Sequence, residues 1–248
     1  MINPEVARAF IFFGAGVCTG LASIGAGFGE GQIAGYTMKA IGRQPGAKDT
    51  LLRSMLISQA LTESGAIFAL VVSLLLLFGG FLNASLDLVK STALLASALA
   101  MGLGSLGPSF GSGHAGAEAC DGIGRTPSQT LPITTNMLIG QALSQTASIF
   151  ALVVSFLLIY TVPSVSANQE AGYQIMRSLA FMGAAIAMGI GSFGPGVGVG
   201  YIAGQAGKML ARYKEQQSLL MRTMFLSSAV AQSTAIYALV VSLLLIFM

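Results

Sequence analysis

The chain has 248 residues, of which 54% are hydrophobic and only 8% charged, with a mean hydropathy of +0.78. Soluble domains carry about 25% charged residues, so this composition excludes a water-soluble globular protein and belongs to a bilayer. A formal net charge of +3 is too small to suggest nucleic acid as a partner.

The first residues carry Glu5 and Arg8 and run straight into an apolar stretch of membrane-span length. No cleavable leader is expected, and the stretch reads as the first spanning helix. Unbroken helices are predicted over 8–40 and 51–80, then 88–121 and 131–161, then 174–209 and 217–248. A short charged loop joins the two members of each pair. Helices of about 30 residues are about 45 Å long, more than a hydrocarbon core of about 30 Å, so their ends should reach headgroups or water.

Phe68-Ala-Leu-Val-Val-Ser73 recurs at Phe150–Ser155 and, led by tyrosine, at Tyr237–Ser242. The offsets, 82 and 169 residues, also superpose Gly20 on Gly102 and Gly189, Gly31 on Gly113 and Gly200, and Arg43 on Arg125 and Arg212. The difference in spacing between copies falls in the connector from Val162 to Glu170. The expected fold is therefore an all-α membrane protein of three tandem helical hairpins: 1–80, 81–162 and 163–248. Nine basic residues (Lys39, Arg43, Lys48, Arg53, Arg125, Lys208, Arg212, Lys214 and Arg222) lie at or near the within-hairpin loops, against three (Arg8, Lys90 and Arg177) towards the other side. That bias predicts cytoplasmic hairpin loops and outside termini.

Gly25, Gly27, Gly29, Gly31 and Gly35 form a ladder in the first helix, repeated in copy three as Gly194, Gly196, Gly198, Gly200 and Gly204. Copy two keeps Gly107, Gly111 and Gly113, with Ser109 as a small substitute. Glycine costs helix propensity, and small residues let helix backbones approach closely in a membrane. A ladder this dense predicts contact on two sides, the geometry of a tight inner ring. Cys18 and Cys120 lie in apolar runs without metal-ligand spacing and are expected to be packed thiols.

Two acids fall clearly at depth, Glu30 and Glu63, where a charge costs about 2.5–3.5 kcal/mol on insertion scales. Both lie about 14 Å below the basic belt at 1.5 Å per residue, so the hairpin brings two acids to one level. Such a pair can hold a proton, or a proton and a monovalent cation. Ser64 adds a hydroxyl, and the oxygen set suits a hard cation such as Na⁺. In the other copies Glu63 becomes Gln145 and Gln232, and Glu30 becomes Ser112 and Val199; only the first hairpin should carry an ion. Thr146 and Ser233 retain a hydroxyl at the Ser64 position. His114, aligned with Gln32 and Tyr201, reads as an interfacial or packing residue. Glu118 and Asp121 are expected to be solvated, and Phe12, Phe13 and Leu74–Leu77 to face lipid.

Gly25-Ala-Gly-Phe-Gly-Glu-Gly31, Gly42-Arg-Gln-Pro45 and Gln59-Ala-Leu-Thr-Glu-Ser64 resemble the rotor-ring proteolipid, the c-type component, of F-type and V-type rotary ATP synthases, here in a triplicated form. The resemblance implies that Glu63 carries the ion, that Glu30, Ser64 and the Leu61 carbonyl are candidate ligands, and that the next hairpin completes the site through Leu143 with Thr146, or Val230 with Ser233. It maps the stalk-contact loop to Arg43, Gln44 and Pro45. It also implies a homo-oligomeric ring in a lipid bilayer, with a stator a-type subunit and central-stalk subunits as partners. The expected setting is a prokaryotic plasma membrane. The chain needs no cofactor and does no bond chemistry; Na⁺ or H⁺ is the transported ion. One carrier per three hairpins lowers the number of ions moved per ATP, favouring an ATP-driven pump. A secondary transporter or channel with a Glu30/Glu63 site is the alternative; parallel repeats and unbroken helices weigh against it.

Overall fold

The computed structural model describes residues 3–83, 86–162 and 170–248. Most of the connector containing the change in repeat spacing, residues 163–169, lies outside the described residues, as does the 163 boundary of the third hairpin. Helix α1 spans Pro4–Arg43, α2 Lys48–Phe78, α3 Leu88–Arg125 and α4 Thr130–Tyr160; α5 (Ala171–Gly191) and α6 (Phe193–Arg212) share one span, and α7 is Gln217–Phe247. Among the described residues, six spans are long and apolar enough to cross a membrane.

Helix starts follow local chemistry. The Asn3 side chain accepts from the Glu5 amide at 3.0 Å, with Pro4 opening α1. Asp87 accepts from the Lys90 amide at 2.7 Å to open α3. Each cap satisfies an amide that has no partner inside its helix. At the loop end the helices run three or four residues past the expected 40, 121 and 209. They stop when Gln44, Thr126 and Tyr213 leave helical geometry at φ −136°, −140° and −127°. A 3₁₀ turn follows each, over Pro45–Ala47, Pro127–Gln129 and Lys214–Gln216. Proline disfavours helix in the residue before it; Lys214 makes the same turn without one, so the hairpin's packing also shapes it.

The triplication is visible bond by bond. Ser73, Ser155 and Ser242 donate to the carbonyls of Ala15, Ser97 and Ala184, at 2.9, 2.8 and 2.9 Å, fastening the two helices of each hairpin. At the far end the three basic residues cap the carbonyls that end each hairpin. Arg8 reaches Leu82, Lys90 reaches Ile159 and Val162, and Arg177 reaches Ile246. Cations there satisfy orphan carbonyls at or just beyond a helix C-terminus and complement its dipole.

The first helices of the hairpins, α1, α3 and α5–α6, pack side by side as an inner row, and α2, α4 and α7 lie behind them. Each outer helix packs on its own first helix, and α2 and α4 also pack on the first helix of the next hairpin. The middle helix is accordingly the most enclosed: 72% of the most apolar window of α3 is buried, against 17% for the last span. The inner row is held by backbone contact. A Cβ on Gly113 would lie 2.1 Å from the Gly29 Cα, and one on Gly111 would lie 2.2 Å from the Gly196 carbonyl oxygen. Such approach is possible only for glycine. Apolar clusters close the row, with Ile11, Leu76, Leu94 and Met101 between hairpins one and two, and Val154, Leu158, Phe181 and Met188 between two and three.

Four expectations are corrected. The first helix of copy three is not regular throughout: α5 gives way to α6 at Ser192, which keeps φ −83° and ψ −18° while the bonds from its amide to Met188 and from the Gly196 amide to its carbonyl persist. Pro195 has no amide to return to the Gly191 carbonyl. At the equivalent position Pro108 sits inside an uninterrupted α3, which is held from both sides. Glu118 and Asp121 are not solvated; both are 6% exposed, because the neighbouring inner helices cover them. Within Leu74–Leu77, Leu76 is fully buried against α1 and α3, since four consecutive helical residues cannot share one face. The helices also extend further at the loop end, as given above. Phe12 and Phe13 are exposed, and both cysteines are buried.

Candidate functional site

Glu63 lies on the exposed face of α2 and Glu30 is half-buried on α1. The Gln59 amide donates to the Glu30 carbonyl at 3.4 Å, tying the two helices at this level. Among the described residues no hydrogen bond or ion pair reaches either carboxylate. Two acids on apolar spans with no internal partner leave a charge that needs compensation in any low-dielectric setting.

The two glutamine positions reveal how such a site is completed. Gln145 on α4 extends its Nε2 to the carbonyls of Leu61 and Thr62 on α2, both at 3.4 Å, and its Oε1 accepts from Ser148 at 3.0 Å. Gln232 on α7 donates to the Leu143 carbonyl on α4 at 2.5 Å. In both cases the carrier-position side chain reaches back to the carbonyl two residues before the carrier position of the preceding hairpin. Glu63 stands at the equivalent position of the first of the three hairpins. In the third hairpin the repeat equivalent of Leu61 and Leu143 is Val230, which is exposed on α7.

The remaining predicted residues divide accordingly. Leu61 already accepts from Gln145 and from the Ser64 hydroxyl at 2.8 Å. Leu143 is taken by Gln232. Ser233 donates to the Val230 carbonyl at 2.7 Å, repeating the Ser64–Leu61 bond in the third hairpin. Thr146 turns instead to Ala142 at 3.3 Å. A hydroxyl that donates keeps its own oxygen free to accept or to ligate. The Ser64 and Ser233 oxygens therefore keep lone pairs free to accept.

A polar cluster beside this level was not anticipated. Gln141 on α4 donates to the Ser58 carbonyl and hydroxyl, at 3.1 and 2.8 Å, and to the Ser112 carbonyl at 3.0 Å. The hydroxyls of Thr62 and Ser112 meet at 3.1 Å. Its signal was present: Ser58 and Thr62 lie one turn apart on one face of α2, and Gln141 aligns with Gln59. The cluster fastens α2, α3 and α4 together without an ionisable group.

At the loop end the acids expected to be solvated join hairpins. Asp121 on α3 is bound by Arg43 from the first hairpin and by Arg125 Nε at 2.6 Å. Glu118 pairs with Lys208 of the third at 3.7 Å. His114 stacks on Tyr201 with ring centroids 5.5 Å apart, a packing contact between α3 and α6. Of the predicted stalk-contact loop, Gln44 and Pro45 are exposed, and Arg43 is shared with Asp121.

A family model for the ATP synthase c-subunit matches the chain three times, over residues 13–76, 95–158 and 182–245. The chloroplastic ATP synthase c-subunit of Tetradesmus obliquus is 47% identical over 77 residues, covering 31% of this chain and 93% of that protein. The ATP synthase c-subunit of Petrotoga mobilis is 48% identical over 65 residues, 26% of this chain and 68% of that protein. An ATP synthase c-subunit of Cereibacter sphaeroides, numbered 2 in that organism, is 40% identical over 77 residues, 31% of this chain and 93% of that protein. One such relative therefore corresponds to a single hairpin here.

Proposed function

The chain belongs to the ATP synthase c-subunit family, and on that basis we propose that several copies close into a membrane rotor ring that carries Na⁺ or H⁺ on Glu63. The observation that carries the reading is the pair of backward hydrogen bonds from Gln145 to Leu61 and from Gln232 to Leu143. Continuing that relation by one hairpin sets Glu63 of one copy against the Val230 carbonyl of the copy before it.

The free edges support closure. Gly20, Gly27 and Gly31 of α1 have nothing within 4 Å, yet they are the repeat equivalents of Gly102, Ser109 and Gly113, the face of α3 that packs on α1. Gly194 and Gly198 of α6 are equally open and correspond to Gly107 and Gly111, the face of α3 that packs on α6. The two edges are thus complementary halves of an interface that the chain already makes twice. A head-to-tail contact of this kind forms rings when its rotation closes.

In the assembled site, Glu30 and Glu63 of one copy meet the Val230 carbonyl and Ser233 hydroxyl of the preceding copy. A proton on Glu63 supplies the donor that the carbonyl lacks, and a cation among these oxygens does the same electrostatically. Na⁺ is favoured because four oxygens converge. Loaded with a proton and a cation together, or with a proton on each carboxyl, the two-carboxylate site is neutral and turns through lipid; at the stator it exchanges its ion beside the stator's arginine. The glutamine positions are permanently neutral and carry nothing. One ion per three hairpins lowers the ions moved per ATP and favours an ATP-driven pump, with loops in the cytoplasm and Gln44 and Pro45 towards the central stalk.

The test is carbodiimide modification of Glu63 in the purified ring, followed by mass spectrometry with and without Na⁺. Labelling at Glu63 that millimolar Na⁺ suppresses supports a sodium rotor. Labelling indifferent to Na⁺ makes the ring a proton carrier. No labelling at Glu63 overturns the assignment of the carrier.

A further inference from the structure

Both hairpin interfaces inside the chain have a carboxylate at the loop end. Asp121 faces back to Arg43 of the preceding hairpin, and Lys208, at the repeat position of Asp121, faces back to Glu118. The residue at this position thus reaches a side chain of the hairpin before it, at the position of Arg43 in one interface and of Tyr36 in the other. In the first hairpin the position is Lys39. At the seam between copies it would face Gln205 and Arg212 of the preceding copy, where the acid has become an amide and the partner cation remains.

Lys39 and Arg212 are both exposed in the single chain, and the seam covers them as α1 and α6 cover Asp121. Two cations brought together under partial desolvation are unstable without a counter-charge. The other charged groups around the seam do not provide one in place. On α1 Arg43 is held by Asp121, and on α6 Lys208 is held by Glu118. The turns add Lys48, Asp49, Lys214 and Glu215, all exposed.

Resting on the ring reading above, we propose that each seam binds one phosphate group, from an anionic lipid or free in solution, between Lys39 of one copy and Arg212 of the copy before it. A phosphate has the acceptors to take both cations at once, the arginine with its fork of donors and the lysine as a point charge. It would occupy the place that the carboxylates of Asp121 and Glu118 take at the two interfaces within the chain. The level, at the loop ends of long helices, is that of headgroups.

The experiment is native mass spectrometry of the ring released from detergent, after incubation with phosphatidylglycerol vesicles or with inorganic phosphate alone. The expected result is one phosphate-bearing adduct per chain. Lipid adducts that inorganic phosphate fails to displace identify a headgroup site, and phosphate adducts without lipid identify a free-anion site. Lys39→Asp places a carboxylate where Asp121 stands in the next hairpin; it should leave the ring intact and remove the adduct. Arg212→Gln should reduce adduct occupancy at least tenfold. An intact wild-type ring with no phosphate adduct, as when Glu215 folds onto Lys39, overturns this inference and leaves the rotor reading standing. Failure of the chain to form a ring at all overturns the rotor reading and the seam with it.

Discussion

Gln145 directs its amide at the carbonyl of Leu61 in the hairpin before it, 3.4 Å away, and so occupies with a neutral donor the place that a loaded carboxyl would take. The Gln232–Leu143 bond repeats the arrangement. Amide and carboxyl are nearly the same shape, but only the amide brings its own N–H. The two hairpin interfaces within the chain are therefore closed by a neutral donor, and in the proposed ring a third would depend on what Glu63 carries.

Glu63→Gln should convert the third interface to the type of the other two. Carbodiimide labelling and ion-coupled ATP hydrolysis should fall to background. The ring should remain assembled, with dissociation in detergent no easier than for the wild type. Comparison of labelling, hydrolysis and oligomer mass in one preparation checks all three.

Gln145→Glu should do the reverse. It sets an acceptor against the Leu61 and Thr62 carbonyls in a buried position, and Ser112 stands where the first hairpin has Glu30. An unsatisfied buried polar group costs about 1–3 kcal/mol, so unfolding in detergent should come several degrees earlier. Loading should relieve part of the loss, and a second carbodiimide-labelled carboxyl, at 145, should appear by mass spectrometry.

Glycines on the two faces of the inner row should respond differently. Gly113→Ala forces a Cβ to 2.1 Å from the Gly29 Cα, and overpacking of this kind costs about 1–3 kcal/mol or more. The chain itself should be destabilised. Gly31→Val meets nothing within 4 Å in the single chain; the folded chain should keep its thermal stability and fail to form a ring. Melting temperature and oligomer mass together separate the two effects.

Lys90→Met should loosen the far end of the second hairpin. It leaves the Ile159 and Val162 carbonyls without their donor, at a cost of about 1–3 kcal/mol for buried groups. Amide exchange near the end of α4 should rise, with carbodiimide labelling of Glu63 unchanged.

The gapless offsets, the glycine ladders and the depth of Glu30 and Glu63 are properties of the linear chain. Three hairpins, six spans and one copy with a glutamate where the others have glutamine were legible because the periodicity of an apolar helix and the spacing of its charges need no tertiary information. The same holds for the basic residues at the far end, though not for their task. Arg8, Lys90 and Arg177 bond carbonyls about 70 residues away, contacts that no local pattern encodes.

Glu118 and Asp121 defeat a sequence reading for a related reason. A charged residue near a basic belt looks solvated in sequence, and it is buried here because two neighbouring helices cover it. The interruption at Ser192 is equally hidden, since the same proline position leaves α3 continuous. Whether a missing hydrogen bond opens a helix depends on what is packed around it.

By itself the sequence determined the number of hairpins, their register and which of them has a carboxylate where the others have an amide, because these follow from the repeat. Only the tertiary structure decided the direction in which carrier positions face. Gln145 and Gln232 look back along the chain, and a side chain's partner in the neighbouring hairpin depends on which side of the inner row each outer helix fills. That direction leaves Glu63 and Val230 at opposite ends of one chain, each exposed and each lacking the neighbour that a second copy would supply.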